Sequence, residues 1–130
     1  MTARLLLVSC VIIFGALPLH AEKPLTFTAA LDAAQRLSST PAYQTYERSK
    51  FWPAIGTPFA NAMVACTKTM KQDVVFDCVF VISTNGHINR ILHTPQQPGA
   101  ACVATSLRGY TLPTPPRDSW LVLVHMTTHR

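Results

Sequence analysis

The sequence predicts an α+β domain in which a three-stranded antiparallel sheet carries helices packed mainly on one face. Residues 22–72 contain segments with helix caps and strong helix formers, which predicts a helical first part. Residues 73–130 contain two β-rich runs joined at Asn85-Gly86, then a short helical segment and a last β-rich run. The order is therefore helices, hairpin, helix and strand, which is typical of an α+β domain.

Length and composition narrow the classes of protein. The chain has 130 residues, of which 48% are hydrophobic and 13% are charged. Folded domains usually contain about 100–200 residues, so we expect one domain. The low charged fraction argues against intrinsic disorder. The net charge of +5 is spread along the chain without a basic stripe interleaved with aromatic residues, so we expect no nucleic-acid binding.

The first 21 residues have the pattern of an export signal. A basic start at Met1–Arg4 precedes an apolar run over Leu5–Leu17, and the small residue Ala21 follows a proline. The run is shorter than the roughly 20 residues of a membrane-spanning helix. We therefore expect cleavage after Ala21, a domain over residues 22–130 that is periplasmic or secreted, and no stable membrane insertion after cleavage. Retention of residues 1–21 as an anchor is the alternative.

The first two helices are predicted from their caps. Thr28 is a candidate N-cap, and strong helix formers follow it to about Leu37. Thr40-Pro41 is a cap followed by a proline in the first turn, which predicts a second helix to about Phe51. We expect the segment from Pro53 to Gly56 to end that helix.

A third helix is predicted to begin at Thr57-Pro58. Its apolar residues fall at positions i, i+4, i+7 and i+11, which is the spacing of one helical stripe. The stripe consists of Phe59, Met63, Cys66 and Met70. We therefore expect Cys66 to face the core.

Two β-rich runs predict a hairpin. They extend over residues 74–83 and 88–94, and the Asn85-Gly86 pair between them favours a type I′ turn, in which both central residues have positive φ. In the first run, apolar residues occupy both faces. The first strand is therefore predicted to be central, with one face under the helices and the other partly covered.

The last part of the chain predicts a helix and a strand. Pro98 suits the first turn of a helix that ends near Arg108, with Gly109 as the residue after its end. The proline-rich residues 112–116 predict an extended connection. They lead to a final strand over residues 119–126.

Residues 76–126 resemble the C-terminal domain of TonB- and TolA-like periplasmic proteins. The similar elements are the strand at 79–82, the turn at 85–88, the helix at 100–107, the Leu112-Pro113-x-Pro115-Pro116 stretch and the strand at 120–126. The resemblance implies a strand edge or sheet face that binds another protein by strand addition. Energy transducers of that family carry an uncleaved membrane helix and a long spacer, which we do not find here, so we expect binding without energy transduction.

Cleavage of the signal would leave three cysteines, an odd number for an exported protein. Cys66 and Cys102 each lie on the predicted inner face of a helix, so we favour a disulfide between them. Cys66–Cys78, Cys78–Cys102 and the absence of a disulfide are the alternatives. Cys78 lies between two phenylalanines of a strand, and we expect a buried, inert thiol there.

No catalytic residue, cofactor site or metal site is predicted. The histidines, which are His87, His93, His125 and His129, have no carboxylate at a matching position, although His87, His93 and His125 can in principle gather on one sheet face. We found no signature of a hydrolase, metalloprotease or nucleotide-binding loop.

The sequence therefore favours a non-enzymatic domain that contacts another envelope or periplasmic protein, and a homodimer is compatible with it. The alternative is a periplasmic inhibitor or immunity-type protein that blocks a toxin or a hydrolase. A small hydrolase or metal binder built on the histidines is a third class. An open strand edge would favour the interaction domain, and an exposed aromatic patch or loop would favour the inhibitor.

Overall fold

The computed structural model describes residues 24–68 and 72–128. The helices are α1 (Phe27–Ser38), α2 (Pro41–Tyr46), a π-helical turn (Glu47–Phe51), α3 (Trp52–Thr67) and α4 (Pro98–Leu107), and the strands are β1 (Val74–Ile82), β2 (Ile88–Thr94) and β3 (Trp120–Thr128). The sheet has the order β2-β1-β3, and both strand pairs are antiparallel. The predicted α+β fold with a central β1 is confirmed. The predicted export signal lies outside the described residues.

Side-chain caps set the starts of the first two helices. Helix α1 begins earlier than predicted, because Thr26, and not Thr28, accepts a hydrogen bond from the backbone N–H of Ala29 at 3.2 Å. Helix α2 begins as predicted, with the Thr40 hydroxyl accepting from the N–H of Tyr43 at 3.3 Å. Each cap satisfies one of the N–H groups that a helix start leaves without a partner.

The predicted break between the second and third helices is wrong. Helical backbone continues from α2 into α3 through the π-helical turn, in which the N–H of Trp52 bonds to the carbonyl of Glu47, five residues earlier. Pro53 therefore lies in the first turn of α3, directly after a shift in the hydrogen-bonding register. Proline is tolerated at that position because its missing N–H is not needed.

Burial explains why α3 continues through Gly56 and Pro58. Phe51, Ile55 and Phe59 are spaced four residues apart, and each is 4% exposed or less. A glycine and a proline inside a helix cost about 1 and 3 kcal/mol. Burying large apolar side chains contributes about 1.5–3 kcal/mol each, which offsets that cost.

One face of the sheet, which we call the helix face, carries the main core. The β1 residues on this face, which are Phe76, Cys78, Phe80 and Ile82, are all 1% exposed or less. The rings of Phe51 and Phe59 lie with their centroids 5.4 and 6.2 Å from that of Phe80. The π-helical turn and α3 therefore cover the helix face.

The opposite face, which we call the outer face, is only partly covered. Val79 is fully buried there, and Leu121 is 8% exposed. The chain leading into α1 lies on this side, because the guanidinium of Arg90 donates to the carbonyl of Leu25 at 3.2 Å. Towards the start of β1, Val75 remains 49% exposed, in agreement with the predicted partial cover.

The hairpin turn differs from the predicted type I′ turn. Only Gly86 of the Asn85-Gly86 pair has a positive φ, of 85°. The N–H of Gly86 bonds to the carbonyl of Ser83 at 2.9 Å, and the N–H of Ser83 bonds to the carbonyl of His87 at 3.0 Å. This pattern is typical of a three-residue loop that ends in a left-handed glycine.

The crossover after α4 is held by side chains from distant elements. Gly109, with φ of 85°, follows the end of α4 as predicted. The hydroxyl of Tyr46 donates to the carbonyl of Pro113 at 2.7 Å. The carboxylate of Asp118 accepts from the N–H and the hydroxyl of Thr84 at 3.1 and 3.0 Å, which joins the start of β3 to the hairpin loop.

Candidate binding surface

The free edge of β2 presents backbone groups that have no partner in the described part of the chain. The N–H of Ser83 bonds towards the β2 side, and bonding direction alternates along a strand. Phe80 therefore bonds towards β3, and Ile91, which lies opposite Phe80, directs its N–H and C=O away from the sheet. Among the described residues, no hydrogen bond reaches these two groups.

Both ends of this edge are covered. At the start of β2, the N–H of Ile88 donates to the carbonyl of Tyr110 at 3.0 Å, and the N–H of Gly109 donates to the carbonyl of Ile88 at 3.2 Å. At the end of β2, the side-chain amide of Gln96 donates to the carbonyl of His93 at 2.7 Å. The open part of the edge is therefore centred on Ile91.

A cleft of about 240 Å³ follows this open part of the edge, between β2 and α4. Its lining consists of Arg90, Ile91, Leu92, Ala104, Thr105 and Arg108. The residues contributed by the second half of α4, Ala104 and Thr105, are small, which leaves space beside the strand. A backbone edge next to a helix wall is the geometry in which proteins add an extended segment as a further strand.

The cleft is electropositive. Arg108 lines it on the α4 side, and no acidic residue lines it. The guanidinium of Arg90 is bonded to the carbonyl of Leu25 on the outer face. Arg108 is exposed, and no described residue bonds to its guanidinium. The cleft is therefore suited to an anionic group.

The disulfide holds the wall of this cleft. Cys66 in α3 and Cys102 in α4 form a disulfide with their Cα atoms 5.6 Å apart, which is the first of the pairings left open by the sequence. The hydroxyl of Ser106, one turn further along α4, lies 3.8 Å from the Cys66 sulfur. The disulfide thus joins α4 covalently to α3, and α3 packs on the helix face of the sheet through Phe59 and Phe80.

The remaining cysteine lies in the core. Cys78 is a free thiol with no exposed surface. Burial, with a smaller contribution from the charge of Asp77, raises the pKa of Cys78 to about 12. The thiol is therefore protonated at physiological pH, and thiolate chemistry is not available to it.

The structure separates the histidines. His93 lies opposite Cys78 on the helix face, whereas His125 lies opposite Asp77 on the outer face. The Nδ1 atom of His87 is 3.0 Å from the hydroxyl of Thr111. The possibility that His87, His93 and His125 gather on one face is therefore wrong, and His129 lies outside the described residues.

One pair was missed by the sequence analysis. Asp77 stands in register with His125, and its carboxylate is 2.5 Å from Nδ1 of that residue, so the expectation that no carboxylate matches a histidine is wrong. The two side chains are 40% and 65% exposed on an open face. Strand register places them together, and register between distant strands cannot be deduced from their separate patterns. In residues 24–68 and 72–128, no group of three potential ligands is arranged to hold a metal ion.

The aromatic residues of the second helical segment take different positions. Tyr43 and Tyr46 pack on Trp120, with ring centroids 6.4 and 5.9 Å from it. Trp52 is 37% exposed, and its indole N–H donates to the carboxylate of Glu47 at 3.1 Å. A shallow cleft of about 260 Å³ lies beside Trp52. Trp52 is thus the aromatic side chain of this segment that a partner can reach.

Comparison with known proteins gives no family. The chain matches no family model, no curated protein and no solved structure. Within the described residues, none of the helices has the length and apolar character needed to cross a membrane. Function is therefore inferred from the geometry of this chain.

Proposed function

We propose that this protein is an exported, non-catalytic domain that binds an extended segment of another envelope protein as an added strand on the β2 edge. The observation that carries the proposal is the outward N–H and C=O of Ile91 beside the cleft between β2 and α4. Main-chain hydrogen bonds provide affinity in this binding mode, and pockets for alternate side chains provide specificity.

The packing of the cleft supports this mode. Ala104 and Thr105 form the wall opposite the strand, and their small side chains leave room for the side chains of an added strand. The disulfide between Cys66 and Cys102 limits the movement of this wall. A preformed cleft lowers the ordering cost of binding.

Export is supported by the disulfide and by the pattern of the first 21 residues. Disulfides persist in oxidising compartments such as the periplasm. Mass spectrometry of the protein from its native host should find a mature N-terminus at Glu22. Recovery of intact Met1 from the envelope fraction would contradict cleavage.

The resemblance of residues 76–126 to TonB- and TolA-like C-terminal domains is part of this proposal. The order of β1, turn, β2, α4, extended connection and β3 supports it. Strand addition at a sheet edge is what the resemblance implies, and the open edge of β2 is where we place it.

Site-specific photo-crosslinking in living cells tests the proposal. A photo-reactive amino acid at position 105, on the cleft wall, should crosslink to a specific envelope protein. The same amino acid at position 64, which is exposed at 62% on α3, is the matched control and should give no such product. Equal products from both positions, or none from position 105, would contradict strand addition in this cleft.

Two variants identify the edge as the site. Ile91→Pro removes the outward N–H, and it should abolish the crosslink from position 105. Proline is tolerated on an edge strand when the missing N–H takes no part in the hydrogen bonds between the strands. Ala104→Trp fills the cleft without changing the β2 backbone and should have the same effect. Unfolding curves of both variants establish that the fold is retained. A crosslink that persists in both folded variants would place the binding surface elsewhere.

An inhibitor is the second candidate, and the exposure of Trp52 favours it. An aromatic side chain with a shallow cleft beside it is typical of an anchor residue at a protein interface. In that case a photo-reactive amino acid at position 48, which lines the cleft beside Trp52, should give a product that Trp52→Ala abolishes and Ile91→Pro leaves unchanged. The two candidates therefore give opposite results with the same pair of variants.

A further inference from the structure

We propose that the cleft between β2 and α4 recognises the free C-terminal carboxylate of the partner segment, an inference that rests on the strand-addition function proposed above. The partner is an extended C-terminal tail that pairs with Ile91 and ends at Arg108. Three features of the cleft lead to this assignment: a blocked edge, the position of Arg108 and the direction of α4.

The edge of β2 is blocked on one side of Ile91. Gly109 and Tyr110 already bond to the carbonyl and the N–H of Ile88. A strand added at Ile91 therefore cannot continue along the edge past Ile88. At Ile88 the added strand must therefore either turn away from the sheet or end. A segment that ends in its C-terminus needs no space beyond Ile88.

Arg108 lies at this blocked end, because it directly follows α4. Because the segment after α4 pairs with Ile88, the end of α4 lies beside the start of β2, so α4 runs opposite to β2. Arg108 thus lines the end of the cleft where the added strand would stop, and no acidic residue lines it.

The location of the charge sets the direction of the added strand. A carboxylate at the start of β2 means that the tail runs antiparallel to β2. In an antiparallel pair, a residue opposite Ile91 can exchange both of its hydrogen bonds with it. The side chain of that residue lies on the face shared by Ile91 and α4, where Ala104 leaves space.

The preferred ligand follows from this arrangement. It has a free α-carboxylate and an apolar residue shortly before the C-terminus. Charge-assisted hydrogen bonds from guanidinium groups to a carboxylate are stronger than neutral ones, so loss of the terminal charge should weaken binding strongly.

The experiment uses two pools of short synthetic peptides with the same randomised sequences. One pool has free C-terminal carboxylates, and the other has C-terminal carboxamides. The disulfide-bonded protein over residues 22–130 is immobilised, and retained peptides are identified by mass spectrometry. We expect retention from the carboxylate pool only, and the amide resonance of Ile91 should shift when a retained peptide is added.

Charge-matched variants then locate the carboxylate. Arg108→Gln should weaken binding of a retained peptide about tenfold or more. Arg36→Gln removes the same charge from the exposed end of α1 and should leave binding unchanged. The carboxamide form of the peptide should bind both variants equally weakly.

The outcomes separate this inference from the proposed function. Equal retention from both pools, with a shift at Ile91, would overturn carboxylate recognition and leave strand addition in place. If Arg108→Gln and Arg36→Gln weaken peptide binding equally, the positive charge acts non-specifically. That result would also overturn carboxylate recognition. Retention from neither pool would overturn both the inference and the strand-addition function.

Discussion

The hydroxyl of Tyr43 accepts a hydrogen bond from the backbone N–H of Leu123 at 3.3 Å, across 80 residues of sequence. Leu123 belongs to β3, the other edge of the sheet, and this N–H points outward. The Tyr43 ring also stacks on Trp120, the first residue of β3. Helix α2 therefore covers the middle of the β3 edge, and this protection distinguishes β3 from the open edge of β2.

Tyr43→Phe should remove this protection while keeping the ring. We expect the free energy of unfolding to fall by about 1 kcal/mol, because a buried N–H loses its acceptor. The amide hydrogen of Leu123 should also exchange faster with solvent. Tyr110→Phe, at a ring that is 43% exposed, is the control and should change neither quantity; an equal loss in both variants would contradict the role of the Tyr43 hydroxyl.

Stability should decrease in alkaline solution. Burial, together with the charge of Glu47, raises the pKa of Tyr43 to about 12, and burial raises that of Tyr46 to about 12. The unfolded chain loses these protons near pH 10, so the stabilisation is complete below that pH and is lost as the pH rises through the folded pKa. Below pH 10 each raised tyrosine pKa contributes on the order of 2–3 kcal/mol to the free energy of unfolding, and this contribution is lost above the folded pKa.

Urea unfolding at a series of pH values measures this loss. Cys78→Ala is the suitable background, because a thiolate formed at high pH would exchange with the disulfide. Replacing both Tyr43 and Tyr46 by phenylalanine should flatten the dependence above pH 10. If the stability of the Cys78→Ala protein does not fall above pH 10, the raised pKa values of Tyr43 and Tyr46 are contradicted.

The disulfide should join the Cys66 and Cys102 peptides in a non-reducing digest. The bridge closes a loop with a sequence separation of 36, for which the chain-entropy model predicts about 3–4 kcal/mol of stabilisation. Replacing both cysteines by alanine should cost about that much in urea unfolding. Cys78→Ala, which leaves the bridge intact, should cost less; a bridge that contains Cys78 would contradict the structure.

Two glycines with the same backbone angle should respond differently to alanine. Gly86 and Gly109 both have φ of +85°, but a Cβ on Gly86 would lie 1.9 Å from the carbonyl oxygen of Leu112, whereas a Cβ on Gly109 would meet open space. Gly109→Ala should therefore cost only the left-handed strain of about 1–2 kcal/mol. Gly86→Ala should cost more, because the contact between the hairpin and the crossover must open. Equal losses in thermal unfolding would indicate that the crossover moves freely.

Local patterns in the sequence were sufficient for much of the fold. Period-two alternation in β1 identified a central strand with one deeply buried face, and the Pro98 and Gly109 signals placed both ends of α4. The local patterns were not sufficient where burial of apolar side chains outweighs the tendency of proline and glycine to end a helix. Pro53 and Gly56 indicate a helix end and Thr57-Pro58 a new start, but the buried stripe of Phe51, Ile55 and Phe59 keeps the helix continuous.

The sequence by itself determined the α+β class, the order of helices and strands along the chain and most residues that face the core, because each depends on neighbours within a few positions. The prediction that Cys102 faces inward is wrong, because Cys102 is exposed. Only the tertiary structure decided which cysteines pair, that Asp77 meets His125, and which sheet edge stays open. Those relationships depend on strand register and on where α2 and α4 lie against the sheet. Register and packing are set by contacts between residues far apart in sequence, so no short stretch of the chain specifies them.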